Sequence, residues 1–586
     1  MDHSERIRLR IIAGAVLFLG VIFLVRLYYL QVIHHDDFVK EAQSQYIATL
    51  PNLYNRGNIY FTQKDGKHVS AATVNSGYVI AITPKAIVDA KTVYETISAL
   101  TPLDHDEFMK KVAKKNDPYE EVATRIPEEA ALALKAKKIA GVQIFRQTWR
   151  YYPANSLAAQ TIGFVGYNGN QLTGRYGLES YYNDTLSRNG ENLYVNFFAE
   201  LFSNITDTIF DRTTDQSGDL VLTIEPTAQS YLENELQSVM DEWHSDETGG
   251  IIMDPKTGAI IAMAVNPSFD LNQYGKVKDI SLLANPIVEN VYEMGSILKP
   301  ITIAAGLDAG TISESTTYND TGHMTLNNKT FGNYDGRGRG PHTSMQLVLN
   351  DSLNTGAAFV ALKLGGPRFS DYIVNKFHLG EETGIDLPGE RQGLMSNLNS
   401  KRDIEIATAS FGQGIAVSPI NMTAALATLG NGGMTVSPHV VSEIDFSSGK
   451  IKELTQTPPE QMLKPGTSER ISRMLVTVVD KALLHGSVSI PEYSIAAKTG
   501  TAQMARAPKD GGGYYEDRYL HTFFGYFPAY DPKFIVFMYT KYPKNATFAS
   551  HTLTMPFIRT AKFLLHYYNI PPDRAGGKQT LKSLPQ

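Results

Sequence analysis

Three short motifs, set far apart along the chain, constrain its fold more than any other feature. The stretch "VYEMGSILKPITIAAGL" carries Ser296 and Lys299 where a helical pattern opens, and "LVLNDSLNTGAAFVALKLG" carries Ser352 and Asn354 at a loop-to-helix transition. The stretch "YSIAAKTGTAQ" carries Lys498, Thr499, Gly500 and Thr501 without a Pro or an obvious turn, and reads as a strand. A strand that carries Lys498 and Gly500 toward one face can line a cleft, and the other two motifs open helices.

The residue types fit that arrangement. Ser296 and Lys299 lie three apart and share a helix face. A neutral Lys299 amine can take the Ser296 hydroxyl proton. Free lysine titrates near about 10.4, so this needs desolvation or a neighbouring cation, for which Lys498 is the candidate. Ser352 suits a proton relay, Asn354 a substrate amide, and Lys498 with Thr499 a carboxylate. Backbone N–H groups of Ser296 and Thr501 could form an oxyanion hole, helped by a helix N-terminus. Gly500 would let a ligand backbone come close.

Each motif is individually common. Ser-x-x-Lys recurs at Ser447 and Lys450, Ser-x-Asn at Ser187 and Asn189, and Lys-Thr-Gly at Lys256, Thr257 and Gly258. Only one combination of the copies runs in the order given above. The earlier Lys-Thr-Gly follows Asp254-Pro255 between two apolar runs. That is turn chemistry and predicts a hairpin tip with Lys256 in solvent.

The chain has 586 residues, enough for two or more domains, and no cysteine, which excludes disulfides, Cys-ligated zinc and a Cys nucleophile. A net charge of -6 and dispersed Lys and Arg give no nucleic-acid signature. The 14 histidines are scattered, the Gly clusters lack phosphate-loop spacing, and neither a metal nor a cofactor is expected. Arg6, Arg8 and Arg10 precede an uncharged run from Ile11 to Val25, and apolar character continues past Arg26 to Ile33. As a helix this would span roughly 35 Å at about 1.5 Å per residue, enough for a bilayer. No small-x-small cleavage site follows, so an uncleaved anchor over 11–33 is expected rather than a signal peptide, with residues 1–10 cytoplasmic. Residues 34–215 read as a mixed α/β pedestal: "SGYVIAITP" alternates like a strand, while "AIVDAKTVYETISAL" and "IPEEAALALKAKK" are helical in period. A second domain is expected over 216–570, ending in two strands around Asp531-Pro532 and a helix, before a disordered tail over 571–586. The loop "MARAPKDGGGYYEDRY" reads as mobile.

In this order the motif set resembles that of the active-site serine penicillin-recognising enzymes. The chain from anchor to about 570 resembles the class B penicillin-binding proteins. "RGNIY", "GRYGLESYYNDTL", "TGIDLPGE", "SFGQGIAVSPINM" and "LGNGG" are further stretches like the family's, and "YEMGSILKP" is more like its division-type members. The resemblance implies an α+β penicillin-binding transpeptidase fold, an antiparallel sheet flanked by helices with a helical subdomain, standing on the pedestal. It implies a bacterial single-pass membrane enzyme with its catalytic domain outside. That enzyme would cross-link stem peptides through a Ser296 acyl-enzyme, in septal or elongation wall synthesis, and would be trapped by β-lactams. A polytopic glycan polymerase is the implied membrane partner. The sequence departs from the family's patterns after Arg56-Gly57, within Ser-Ile-Leu-Lys, and at "HGSVS". A β-lactamase would lack anchor and pedestal, and a bifunctional enzyme would need a Glu-Asp pair before 218; a catalytically weak division scaffold that binds β-lactams remains the alternative, and the three intact motifs argue against it.

Overall fold

The computed structural model describes Gly20 and residues 56–169, 171–188, 217–454, 456–506 and 511–574. Apart from Gly20, the anchor expected over 11–33 lies outside them. Among the described residues no helix is long and apolar enough to cross a membrane.

The centre of the molecule is an antiparallel sheet of five strands in the order Ala496–Ala505, Tyr514–Phe527, Phe534–Lys541, Glu247–Met253, Ile260–Asn266. Its apolar strands are buried on both faces, so helices must cover both. On one side lie Pro226–Trp243 and Thr554–Tyr567, whose Leu232, Leu236, Phe557 and Leu564 pack with Phe523, Phe527 and Val536. Glu225 caps the first of these helices by accepting from Ala228 N–H, and Pro226 sits where no donor is needed. On the other side lies Lys299–Asp308, buried over its whole length, as an apolar helix without a polar face must be. A helical subdomain including Asn354–Leu364, Asp403–Ala409, Pro419–Ala427 and Pro465–Thr477 completes that layer. The strand Ala496–Ala505 is the sheet's edge, which leaves one row of its backbone groups to line a cleft.

The turn at Asp254-Pro255 is as the residues require. Asp254 accepts from Lys256 N–H at 2.8 Å, and Gly258 has φ +83°. Lys256 is exposed and pairs with Asp531 on the neighbouring hairpin tip.

The pedestal lobe packs Ala90–Ser98, His105–Ala113 and Glu128–Ala136 on the long strand His68–Ile82, with Val93, Ile97, Phe108, Val112 and Leu134 buried together. Its sheet does not stop at the boundary expected near 216. Gly218–Leu222 pairs in parallel with Ile59–Thr62 and antiparallel with Val441–Phe446, so strands from both halves form one sheet. One expectation is corrected. The chain is tied down to Arg574: Asp573 accepts from Ser494 N–H at 2.8 Å, and Arg574 pairs with Asp480 at 2.7 Å, so a tail loose from 571 does not hold for these residues. The stretch after the third motif is largely hairpin, with Gln503 opposite Tyr519 and Ala505 opposite Tyr514, while 507–510 lie outside the described residues.

Candidate active site

Gly295 opens a tight turn, Gly295–Leu298, that runs into the buried helix. Its φ is +63°, and a Cβ there would lie 2.9 Å from the Thr501 carbonyl oxygen. Glycine therefore brings Ser296 directly against the edge strand. Ser296 is partly exposed, and its Oγ has no hydrogen bond among the described residues.

Lys299 follows one turn later and is 0% exposed. Its amine donates to the Ser352 carbonyl at 2.5 Å and to Ser352 Oγ at 3.1 Å. Lys498, 2% exposed, donates to the same Oγ at 3.1 Å and to its neighbour's carbonyl, that of Thr499, at 3.2 Å. Ser352 thus bridges two buried amines, and does so with φ +54°, a left-handed conformation that a serine seldom takes. Neither lysine has a carboxylate partner among the described residues. Burial, then the adjacent Lys498, pushes the Lys299 amine well below the ordinary lysine range. Burial alone brings Lys498 down to about 8. Two buried, unpaired lysines side by side disfavour folding, and such arrangements concentrate at sites of chemistry.

The cleft in front of these groups has a volume of about 960 Å³, and Ser296, Ser352, Asn354, Lys498, Thr499 and Thr501 all line it. Asn354 donates from Nδ2 to the Gly332 carbonyl at 2.8 Å, and Thr501 Oγ1 accepts from Ala549 N–H at 3.1 Å. Gly500 is placed differently from the sequence expectation. A Cβ there would meet Thr522 Oγ1 at 2.3 Å and the Met294 carbonyl at 2.8 Å. Its smallness admits the turn that carries Ser296, not a ligand. Sequence reasoning also missed the aromatic rim, where Tyr334 and Phe548 meet edge-to-face at 5.6 Å. Neither belongs to a motif, and only their shared exposure at the cleft marks them. Gln413 and Phe411, within "SFGQG", line the same cleft.

The two Lys-Thr-Gly copies are thus physically unlike. Lys256→Ala should leave labelling by a fluorescent penicillin unchanged, because only an exposed ion pair worth about 0–1 kcal/mol is lost. Lys498→Ala should reduce it severely. A gel-based labelling time course that gave equal effects would refute the distinction.

A family model for the penicillin-binding protein transpeptidase domain matches residues 248–559, and one for the penicillin-binding protein dimerisation domain matches 52–211. Stage V sporulation protein D of Bacillus subtilis is 30% identical over 554 residues, covering 93% of this chain and 83% of its own length. The chain belongs to the class B penicillin-binding proteins. Peptidoglycan D,D-transpeptidase FtsI of Escherichia coli K12 is 25% identical, covering 98% of this chain and 94% of the relative. The fold of this class B protein is also that of penicillin-binding protein 3 from Mycobacterium tuberculosis, solved with aztreonam (TM-score 0.65, 21% identity, 89% of this chain and 97% of that one). Penicillin-binding protein 2X of Streptococcus thermophilus shares it as well (TM-score 0.70, 18% identity, 88% and 80%).

Proposed function

We propose that this protein is a serine peptidoglycan D,D-transpeptidase whose nucleophile is Ser296. The observation that carries the reading is the meeting of Lys299 and Lys498 on Ser352 Oγ, in the cleft that Ser296 faces. Ser296 Oγ attacks the carbonyl carbon between the two terminal D-Ala residues of a donor stem peptide, and its proton passes to the neutral Lys299 amine. The peptide C–N bond breaks, the leaving D-Ala nitrogen takes a proton relayed through Ser352 Oγ, and an ester on Ser296 remains. An amine of a second stem peptide attacks that ester, loses its proton along the same path, and restores the Ser296 hydroxyl as the new amide forms. Lys498, protonated, and Thr499 hold the donor's terminal carboxylate. The N–H groups of Ser296 and Thr501 hold the oxyanion, and Asn354 holds a peptide group. β-Lactams acylate Ser296 by the same first step. A Ser296→Ala protein should take up no fluorescent penicillin, and labelling equal to wild type would sink the mechanism.

We further assign the protein to the outer face of the bacterial cytoplasmic membrane, anchored through 11–33 and working beside a polytopic glycan polymerase in septal wall synthesis. The Tyr292-Glu293 pair ahead of the catalytic segment supports the septal role. The likeness to a sporulation protein favours a second reading, in wall synthesis during sporulation. Depletion separates these. Filaments support the septal role, rounded cells an elongation role, and normal growth with defective spores the second reading.

A further inference from the structure

Residues 317–344 carry none of the reaction's motifs, yet they grip the Ser352–Asn354 turn from both sides. The segment folds as two short strand pairs, Thr317–Asp320 with Gly340–Ser344 and His323–Leu326 with Lys329–Gly332. At its centre Asp320 is 1% exposed and has no ion-pair partner among the described residues. Its carboxylate accepts from Gly322 N–H (3.0 Å), Arg339 N–H (3.0 Å), Thr355 Oγ1 (2.8 Å) and Asn333 Nδ2 (3.0 Å). Asn333, also buried, accepts on Oδ1 from Thr355 N–H at 3.2 Å.

Thr355 stands in the first turn of the helix Asn354–Leu364, whose cap residue, Leu353, has no side-chain acceptor to offer. Asn333 supplies that acceptor from another element, so the helix start is held by the strand segment rather than by its own sequence. The preceding residue completes the grip: the Gly332 carbonyl takes one hydrogen of the Asn354 amide. The second Nδ2 hydrogen is then left for the cleft that Asn354 lines. On the other side of the turn, Arg339 Nε donates to Asp351 at 3.1 Å, next to Ser352. A surface strand pair gains nothing in packing from a buried carboxylate held only by neutral donors. The network instead holds Asn333, whose neighbour Gly332 supplies the carbonyl that receives the Asn354 amide.

We propose that Asp320 and Asn333 are positioning residues of the transpeptidase. They hold Asn354 so that its free N–H meets the carbonyl of the donor's peptide group just upstream of the scissile bond. This rests on the transpeptidase reading given above.

The test compares acylation of the full-length protein by two probes with the same bicyclic ring. Benzylpenicillin carries an acylamino carbonyl, whereas 6-aminopenicillanic acid has a bare amine and no such carbonyl. Asn333→Ala should cut the second-order acylation rate with benzylpenicillin by about tenfold, the loss expected when a well-aimed hydrogen bond is misdirected. The rate with 6-aminopenicillanic acid should change by less than about twofold, which also shows that Ser296 and Lys299 remain in place. Equal loss with both probes, or loss with neither, overturns the inference. Asn333→Asp supplies a second variant. Its carboxyl faces Asp320 and repels it while ionised, and once protonated can again donate. The benzylpenicillin to 6-aminopenicillanic acid rate ratio of that variant, divided by the same ratio for the wild type, should rise as pH is lowered; this double ratio cancels the titration of Lys299 and of the 6-aminopenicillanic acid amine. A double ratio that stays flat with pH overturns the inference. Failure of the transpeptidase reading would show separately, as acylation that survives Ser296→Ala.

Discussion

Replacing Lys299 with methionine is expected to slow acylation of Ser296 by benzylpenicillin by about 10²–10⁴-fold, the range for removal of a positioned general base. The same variant should be no less stable than wild type. Methionine matches the length of the lysine stem and removes an amine that is fully buried without a counter-charge. The loss of its bonds to Ser352 offsets part of that gain. The pH dependence follows from the same geometry. Both lysines have folded-state pKa values below those of the unfolded chain, so between the folded values and about 10.4 the unfolded chain binds more protons and stability rises with pH. The stabilising effect of Lys299→Met should therefore grow as pH falls through that window and be full below it. Acylation in the wild type should fall on the acid side, as Lys299 gains its proton. It should also fall above about 8, as Lys498 loses the charge that holds the carboxylate. Lys498→Arg, which cannot lose its proton, should remove the alkaline fall. A Lys299→Met protein that acylates at the wild-type rate would remove Lys299 as the base.

The chemistry was legible because the reaction demands particular side chains in a particular order. Ser296, Lys299, Ser352 and Lys498 are picked out from the duplicate motifs by their order along the chain, and the need to depress a lysine pKa already pointed to burial beside a second lysine. The turn at Asp254-Pro255 was legible too, since local turn chemistry decides it. What the sequence hid depends on partners distant along the chain. Gly500 looks like a place for a ligand until Met294 and Thr522 are seen against it. The hold on Asn354 runs through the Gly332 carbonyl, and a backbone acceptor leaves no mark in residue identity. The parallel pairing of Ile59–Thr62 with Gly218–Leu222 joins strands from either side of the expected domain boundary, and periodicity gives strand type but not strand partner. Asp573 and Arg574 fall in a stretch whose composition reads as tail, yet Ser494 and Asp480 bind them.

The largest stability effect is expected at Glu179, which is 0% exposed and lies between two buried arginines. One carboxylate oxygen accepts from Arg56 Nε at 2.7 Å, and the other from Arg150 Nε at 2.5 Å and Tyr152 Oη at 3.3 Å. Arg56 also donates to Asn183 and Ser187, and Arg150 to the Gly57 carbonyl, so the three charges tie together "RGNIY", "RYYP" and "GRYGLE". Burial alone would raise the Glu179 carboxyl, but the two guanidinium groups outweigh it and hold it below the usual range. Glu179→Ala leaves both arginines buried with neutral acceptors only, and should cost about 3–5 kcal/mol. The measurement is denaturant unfolding followed at the pedestal, for instance by Trp149 fluorescence. Because the folded pKa is depressed, the contribution of Glu179 is full above its unfolded value of about 4.3 and is lost as pH falls through the folded one. The gap between wild type and Glu179→Ala should therefore close in acid. A triple replacement, Arg56→Met, Glu179→Leu and Arg150→Met, separates charge from shape. It should recover most of the loss if the penalty lies in uncompensated buried charge. If the triple variant is as unstable as Glu179→Ala, the hydrogen bonds from Arg56 to Asn183 and Ser187 and from Arg150 to the Gly57 carbonyl, and not charge compensation, are what fasten these three segments together.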